Sequence, residues 1–182
     1  SFVMVVGGLA PGSKDIAAAR AQVAEGTALL LEHGKAHGVR IALEPLHPVY
    51  AADRSCLSLL SEALDMCEAI EPATPQPWLG ACLDVYHLWW DPNLARDIAR
   101  AGAARRIFGF HVCDWLVPTE DVLNDRGMMG DGVIDIPKIR GWVEAQGFAG
   151  YSEVEIFSSG NWWQRDGDEV LRTCIDRHRR SV

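Results

Sequence analysis

The sequence has no C-x-x-C pair, no excess of basic residues, no long apolar run and no glycine-rich nucleotide signature. Each absence closes a class of function. The five cysteines, Cys56, Cys67, Cys82, Cys113 and Cys174, are scattered and odd in number. That pattern argues against a disulfide framework and against zinc-finger spacing, and predicts reduced, mostly buried thiols in a cytoplasmic protein. Lys and Arg total 17 against 25 Asp and Glu, a net charge of −8. A chain this acidic is a poor general ligand for phosphate backbones, so nucleic acid is not an expected partner. Apolar runs such as Phe2 to Leu9 fall far short of the ~20 residues of a spanning helix, so no membrane is expected. No basic n-region or cleavage site marks a secretory signal, and Ser1 leads straight into a strand. Neither a G-x-G-x-x-G after the first strand nor a Walker A motif is found.

What is present suits one folded domain. The 182 residues are 48% hydrophobic and 23% charged, enough apolar side chain for a sizeable core. Short apolar runs alternate with longer amphipathic ones. Phe2–Val6, Val39–Glu44, Leu79–Asp84, Arg106–His111 and Gly150–Ile156 read as strands, the first of them buried. Helices are expected from about Pro11 to His37, from about Ser55 to before Pro72, from an Asp91 cap through Ile98, from Asp135 to Gly147, and after Asp166. Asp166 with Glu169 resembles a capping box. Between Cys113 and Ile134 lies a long loop with Pro118, Gly127, Gly130 and Gly132, a length more often functional than idle. Strict β-α alternation implies a parallel sheet with helical crossovers, either an open doubly wound sheet or part of an eight-fold barrel.

Polar residues collect at the strand ends. Glu44, Asp84, His111 and Glu155 each close a strand on the parity opposite its bulky residues: Ile41 and Leu43, Ala81 and Leu83, Phe108, Phe110 and Val112, Val154 and Ile156. Any one of the four reads as a loop, cap or core residue. Three carboxylates and an imidazole at one mouth would repel unless a divalent cation lay among them, and that oxygen and nitrogen set suits Mn²⁺, Mg²⁺, Co²⁺ or Zn²⁺. His87, three residues after Asp84, and Arg126 on the long loop are further candidates. Trp89, Trp90, Trp115, Trp162 and Trp163 lie just beyond strand ends, where aromatic walls suit a sugar face, a dimer interface or loop packing.

Five segments carry a resemblance. They are Ile41 to Pro48 (I-A-L-E-P-L-H-P), Leu83 to His87 (L-D-V-Y-H), Gly109 to Trp115 (G-F-H-V-C-D-W), Asp125 to Gly132 (D-R-G-M-M-G-D-G) and Glu153 to Phe157 (E-V-E-I-F). Together they resemble the sugar phosphate isomerase/epimerase family. These are the xylose-isomerase-like TIM barrels, which include ketose 3-epimerases, inosose dehydratase, hydroxypyruvate isomerase and endonuclease IV. The resemblance runs across nearly the whole chain and specifies the superfamily better than the substrate.

The resemblance implies an α/β (β/α)8 barrel of which residues 1–182 are the C-terminal part, the last five βα units, with roughly 100 residues of barrel absent. It implies one divalent metal held by Glu44, Asp84, His111 and Glu155. Glu44 and Glu155 would also move the proton, next to a carbonyl, with the metal stabilising an enediolate. His87 and Arg126 would hold substrate oxygens. The expected partner is a small sugar or sugar phosphate, and open sheet edges are compatible with a homo-oligomer. A metal phosphoesterase resembling endonuclease IV is the alternative, disfavoured by the charge of −8 and by only six scattered histidines. A non-catalytic truncated barrel is the third reading.

Overall fold

A computed structural model describes residues 2–182; Ser1, at the head of the expected first strand, lies outside them. The strands that position the site are β1 (Phe2–Val5), β2 (Arg40–Leu43), β3 (Leu79–Asp84), β4 (Ile107–Val112) and β7 (Ser152–Val154). All pair in parallel, in the order β1-β2-β3-β4-β7. Each crossover carries helix: α1 (Ile16–His37), α2 (Leu60–Ile70), a four-residue α3 (Val85–Leu88) with α4 (Leu94–Ala103), and α5 (Ile136–Glu144). The chain ends in α6 (Gly167–Ser181).

Local chemistry sets the helix ends. Asp15 accepts the Ala18 N–H at the start of α1, and Gly38 closes it at φ 69°, a left-handed conformation that favours glycine. Asp135 and Asp166 cap α5 and α6 through their carboxylates. The bulky residues of β2, β3 and the end of β4 face the helices, as parity predicts, whereas Val154 of β7 is 38% exposed. Ile41, Leu43 and Leu79 pack with Ala19 and Leu31 of α1 and Ala63 and Cys67 of α2. Leu83, Phe110 and Val112 pack with Leu94 and Ile98 of α4 and with Ile136, Ile139 and Val143 of α5. Burying each of the larger side chains contributes about 1.5–3 kcal/mol. The opposite face is thereby left to the polar residues.

Several boundaries depart from expectation. β1 is an edge strand rather than a buried one, with Val3 49% and Met4 40% exposed. The first helix starts at Ile16, because Ser13 turns the chain by accepting the Asp15 N–H. The second starts at Leu60 rather than Ser55: Ser55 bonds Leu57 locally, and Glu62 reaches back to the Ser58 and Leu59 N–H groups. Asp91 forms a turn by accepting the Asn93 N–H, so α4 begins after it. The Glu169 carboxylate pairs with Arg165, so the box at Asp166 is half formed. The long loop contains a small antiparallel pair, β5 (Asp114–Trp115) with β6 (Arg126–Gly127).

Phe108 corrects the parity of β4. Ala81 pairs with Ile107 but Cys82 with Gly109, so one residue is inserted. The bulge turns Phe108 away from the helices: Arg40 lies 5.0 Å over its ring, and the ring packs against Gly80. Beyond the bulge Phe110 and Val112 regain the helix side, which points His111 the other way.

Candidate functional site

The ends of four strands converge on one cluster. Asp84 closes β3, His111 lies in β4 opposite it in register, and Glu44 and Glu155 stand just past β2 and β7. One ligand atom from each of Glu44, Asp84, His111 and Glu155 lies within 4.8 Å of the other three. Nδ1 of His111 is 3.4 Å from Glu44 Oε1 and 3.6 Å from Glu155 Oε2. Glu44 is 6% exposed, His111 4% and Asp84 not at all, whereas the Glu155 side chain keeps 27%.

Two atoms of this cluster, Glu44 Oε1 and His111 Nδ1, are buried without a hydrogen-bond partner. Orphaned polar atoms cost free energy in a native interior and are a mark of an ion or ligand. Three carboxylates and one imidazole nitrogen are hard and borderline donors that fit a single divalent cation. The residues present therefore fit the metal that the strand-end pattern predicts.

Electrostatics bear the mark of crowding. Burial, and then the Asp84 and Glu155 charges, raise the Glu44 pKa above the usual carboxylate range, against the lowering effect of the nearby His111 ring. Burial pulls His111 down, but its contacts with Cys82, Glu155 and Glu44 outweigh it and raise the ring well above the usual histidine range.

Arg126 and His87 stand at the same mouth. Nη1 of Arg126 donates to Asp84 Oδ2 at 2.8 Å and to Glu155 Oε2 at 2.9 Å, and Nη2 lies 3.1 Å from His87 Nε2. The guanidinium is buried over the rings of Tyr86 and Phe157, at 4.4 and 4.9 Å. Burial opposes its charge, while Asp84, Cys113 and Glu155 raise its pKa further. Burial first, and the Arg126 charge second, hold His87 well below the usual histidine range, so the ring is neutral. His87 and Arg126 thus both reach the cluster, with Arg126 tied to two of its four residues.

Residues that sequence reading passed over complete the surroundings. Cys82 shares the inward parity of Asp84 and lies 3.4 Å from His111 Nε2; that shared parity was the available signal. Tyr50 and Tyr86 both donate to the Val122 carbonyl at 2.8 Å, tying the loop over the mouth. Of the tryptophans expected beyond the strand ends, Trp115 stacks on Tyr86 at 4.6 Å and meets His47 at 4.9 Å, and Trp90 meets His47 at 5.7 Å. No spacing in the sequence marks those tertiary contacts. No helix among the described residues is long and apolar enough to cross a membrane.

Comparison with known proteins agrees with this geometry. A crystal structure of protein SMc04130 from Sinorhizobium meliloti 1021 is 55% identical, with a TM-score of 0.95 over 100% of this chain and 64% of that one. An IolI protein crystallised with a bound zinc atom superposes at TM-score 0.76 with 18% identity, over 97% of this chain and 61% of that one. An inosose isomerase from Halalkalibacterium halodurans is 26% identical over 154 residues, which are 81% of this chain and 49% of the isomerase. The chain spans from about half to under two thirds of the length of these relatives. The model of the family described as xylose isomerase-like TIM barrel matches residues 1–175. Parallel β-α order, polar residues converging at the strand ends and that near-complete match agree: the chain belongs to the xylose isomerase-like TIM barrel family.

Proposed function

We propose that this chain carries the metal and substrate residues of a divalent-metal-dependent isomerase or epimerase of sugars or sugar phosphates. In this reading residues 1–182 are the C-terminal five βα units of an eight-unit barrel, working in the cytoplasm. The observation that carries it is the four-residue cluster with two orphaned atoms, beside a neutral histidine and a buried arginine. The relative named an inosose isomerase supports the substrate class.

Glu44, Asp84, His111 and Glu155 would hold the ion, one of Mn²⁺, Mg²⁺, Co²⁺ or Zn²⁺. When bound, it supplies Lewis-acid polarisation of a substrate carbonyl. The protein's own part is proton transfer and positioning. Glu44 and Glu155 approach the site from different strands, just past β2 and just past β7, so they can address a substrate carbon from two sides. One carboxylate oxygen takes the proton next to the carbonyl and the other glutamate returns one. His87 and Arg126 would orient substrate oxygens.

The test is solvent-deuterium exchange into a keto-sugar or inosose, read beside metal content by plasma mass spectrometry. Glu155→Gln keeps a coordinating oxygen but loses the base, and should lose at least ~10²-fold of exchange while retaining metal. His111→Ala should lose the metal. Near-normal exchange in Glu155→Gln would reduce Glu155 to a ligand, and full metal content in His111→Ala would overturn the four-residue site.

A further inference from the structure

We propose that Cys82, His111 and Glu44 form a second, sulfur-containing register of the metal centre, one that captures thiophilic divalent ions such as Zn²⁺. One ligand atom from each of the three lies within 4.8 Å of the other two, and all three residues are buried. Cys82 Sγ is 3.4 Å from His111 Nε2. Across the ring from the sulfur, His111 Nδ1 and the Glu44 Oε1 atom 3.4 Å from it are buried and unpartnered, in residues 4% and 6% exposed. A thiol, an imidazole and a carboxylate at this spacing can close on a tetrahedral ion, with Zn–S at ~2.3 Å and Zn–N at ~2.0 Å, solvent taking the fourth position.

The two registers share Glu44 and use opposite nitrogens of His111, Nδ1 toward Glu155 and Nε2 toward Cys82. Asp84 and Glu155 give the first an all-oxygen and nitrogen character that suits hard ions, and Cys82 gives the second a preference for soft ones. Binding in the second replaces the S–H proton, which leaves to solvent, one per ion. Backbone geometry makes room for the thiol. Cys82 pairs with Gly109, and a Cβ there would lie 2.7 Å from Sγ and 2.7 Å from the Phe2 ring. Phe2, Met4, His111, Glu153, Val154 and Glu155 line a cavity of about 480 Å³ beside the cluster.

Cys113, the other cysteine near the mouth, is unsuited. Its sulfur lies 3.9 Å from Nη1 of Arg126, and among the described residues it joins no ligand group with Glu44 and His111. Cys67 faces the Gly80 carbonyl and Cys174 faces Met128, away from the cluster.

The inference shares two residues with the proposed function but does not require the reaction. X-ray absorption at the zinc edge tests it, on the protein loaded with zinc alone. One sulfur scatterer at ~2.3 Å is expected in the unaltered protein. It should vanish in Cys82→Ser and persist in Cys113→Ser and Glu155→Gln. Mn²⁺ binding, followed by electron paramagnetic resonance, should survive Cys82→Ser. A zinc shell of only oxygen and nitrogen in the unaltered protein overturns the inference whether or not the variants fold, and leaves the four-residue site standing. Sulfur persisting in Cys82→Ser also overturns it.

Discussion

The main-chain N–H of His47 donates to Nδ1 of His87 at 3.2 Å, joining the loop after β2 to the short helix after β3. Nε2 faces the mouth, 3.6 Å from Asp84 Oδ2 and 3.1 Å from Arg126 Nη2, so both ring nitrogens face a donor and a neutral imidazole accepts at only one of them. The backbone donor is fixed, so Nε2 is the atom of His87 that can donate to a substrate oxygen once Arg126 turns to the substrate. His87→Gln should cost about 10- to 100-fold in kcat/KM, the worth of one hydrogen bond to a charge-developing oxygen. Metal content should stay unchanged. Parallel loss of metal would make His87 a ligand instead of a donor.

Arg126 gives a second prediction, because it bridges Asp84 and Glu155. Removing one partner of a buried ion pair leaves the other's charge uncompensated, typically at about 3–5 kcal/mol. Arg126→Ala should therefore melt well below the unaltered protein in chelator. A divalent ion would restore part of the missing positive charge, so the rise in Tm on adding Mn²⁺ should be larger in the variant. Equal rises in both proteins would show that the ion does not address the carboxylates that Arg126 holds.

Much of this arrangement was legible in sequence, for a physical reason. Parallel strands buried against helices alternate strictly in side-chain direction, so Leu43, Leu83 and Phe110 on one face imply Glu44, Asp84 and His111 on the other. The inference failed at Phe108, since a one-residue bulge leaves no periodic trace. It also passed over Cys82, whose parity matched but whose small apolar character reads as core. Arg126 was found as a candidate, yet its pairing with Asp84 spans 42 residues and depends on the β5–β6 pair inside the loop. Helix starts shifted wherever a local hydrogen bond competed, as at Ser55 and Asp91.

Far from the mouth, Glu71 anchors a buried polar network and fixes a pH dependence. Its carboxylate accepts the Trp78 and Leu79 N–H groups at 3.0 Å, pairs with Lys35 at 2.8 Å and meets the buried Arg106 at 3.3 Å. Burial alone would raise its pKa, but the Lys35 bond and the two N–H groups outweigh burial and lower it. The folded value then lies below the unfolded one of about 4.3. Between the two the unfolded chain binds the proton and the folded chain does not. The stabilisation is complete above the unfolded value and is lost as pH falls through the folded one. Glu71→Gln should lower stability at neutral pH by about 3 kcal/mol, since Arg106 loses its counter-charge. Denaturant melts at about pH 5 and pH 3 should show a smaller acid loss in the variant. Parallel acid losses would assign the dependence to other carboxylates.

The loop that carries Arg126 is held by Asp114, which yields the remaining prediction. Oδ1 accepts the Trp115 and Ile134 N–H groups at 2.9 and 3.0 Å, and Oδ2 accepts those of Gly130 and Gly132 at 2.9 and 2.8 Å. Four donors from one loop converge on one buried carboxylate. The approach is close enough to require glycine: a Cβ on Gly132 would strike the Trp115 carbonyl and Asp114 itself, and Gly130 sits at φ 87°. In Asp114→Asn the side chain turns one of its two acceptors into an NH₂. Whichever way the amide is oriented, two N–H groups then face another donor. Each buried donor left unsatisfied costs about 1–3 kcal/mol, so a loss of about 3 kcal/mol is expected for the pair. Amide exchange should accelerate at the two N–H groups that lose their acceptor. Turnover should fall as well, because β6 carries Arg126 to the mouth. A loss below ~1 kcal/mol with unchanged exchange would mean that other bonds, such as Val133 N–H to the Trp115 carbonyl at 3.1 Å, hold the loop without the carboxylate.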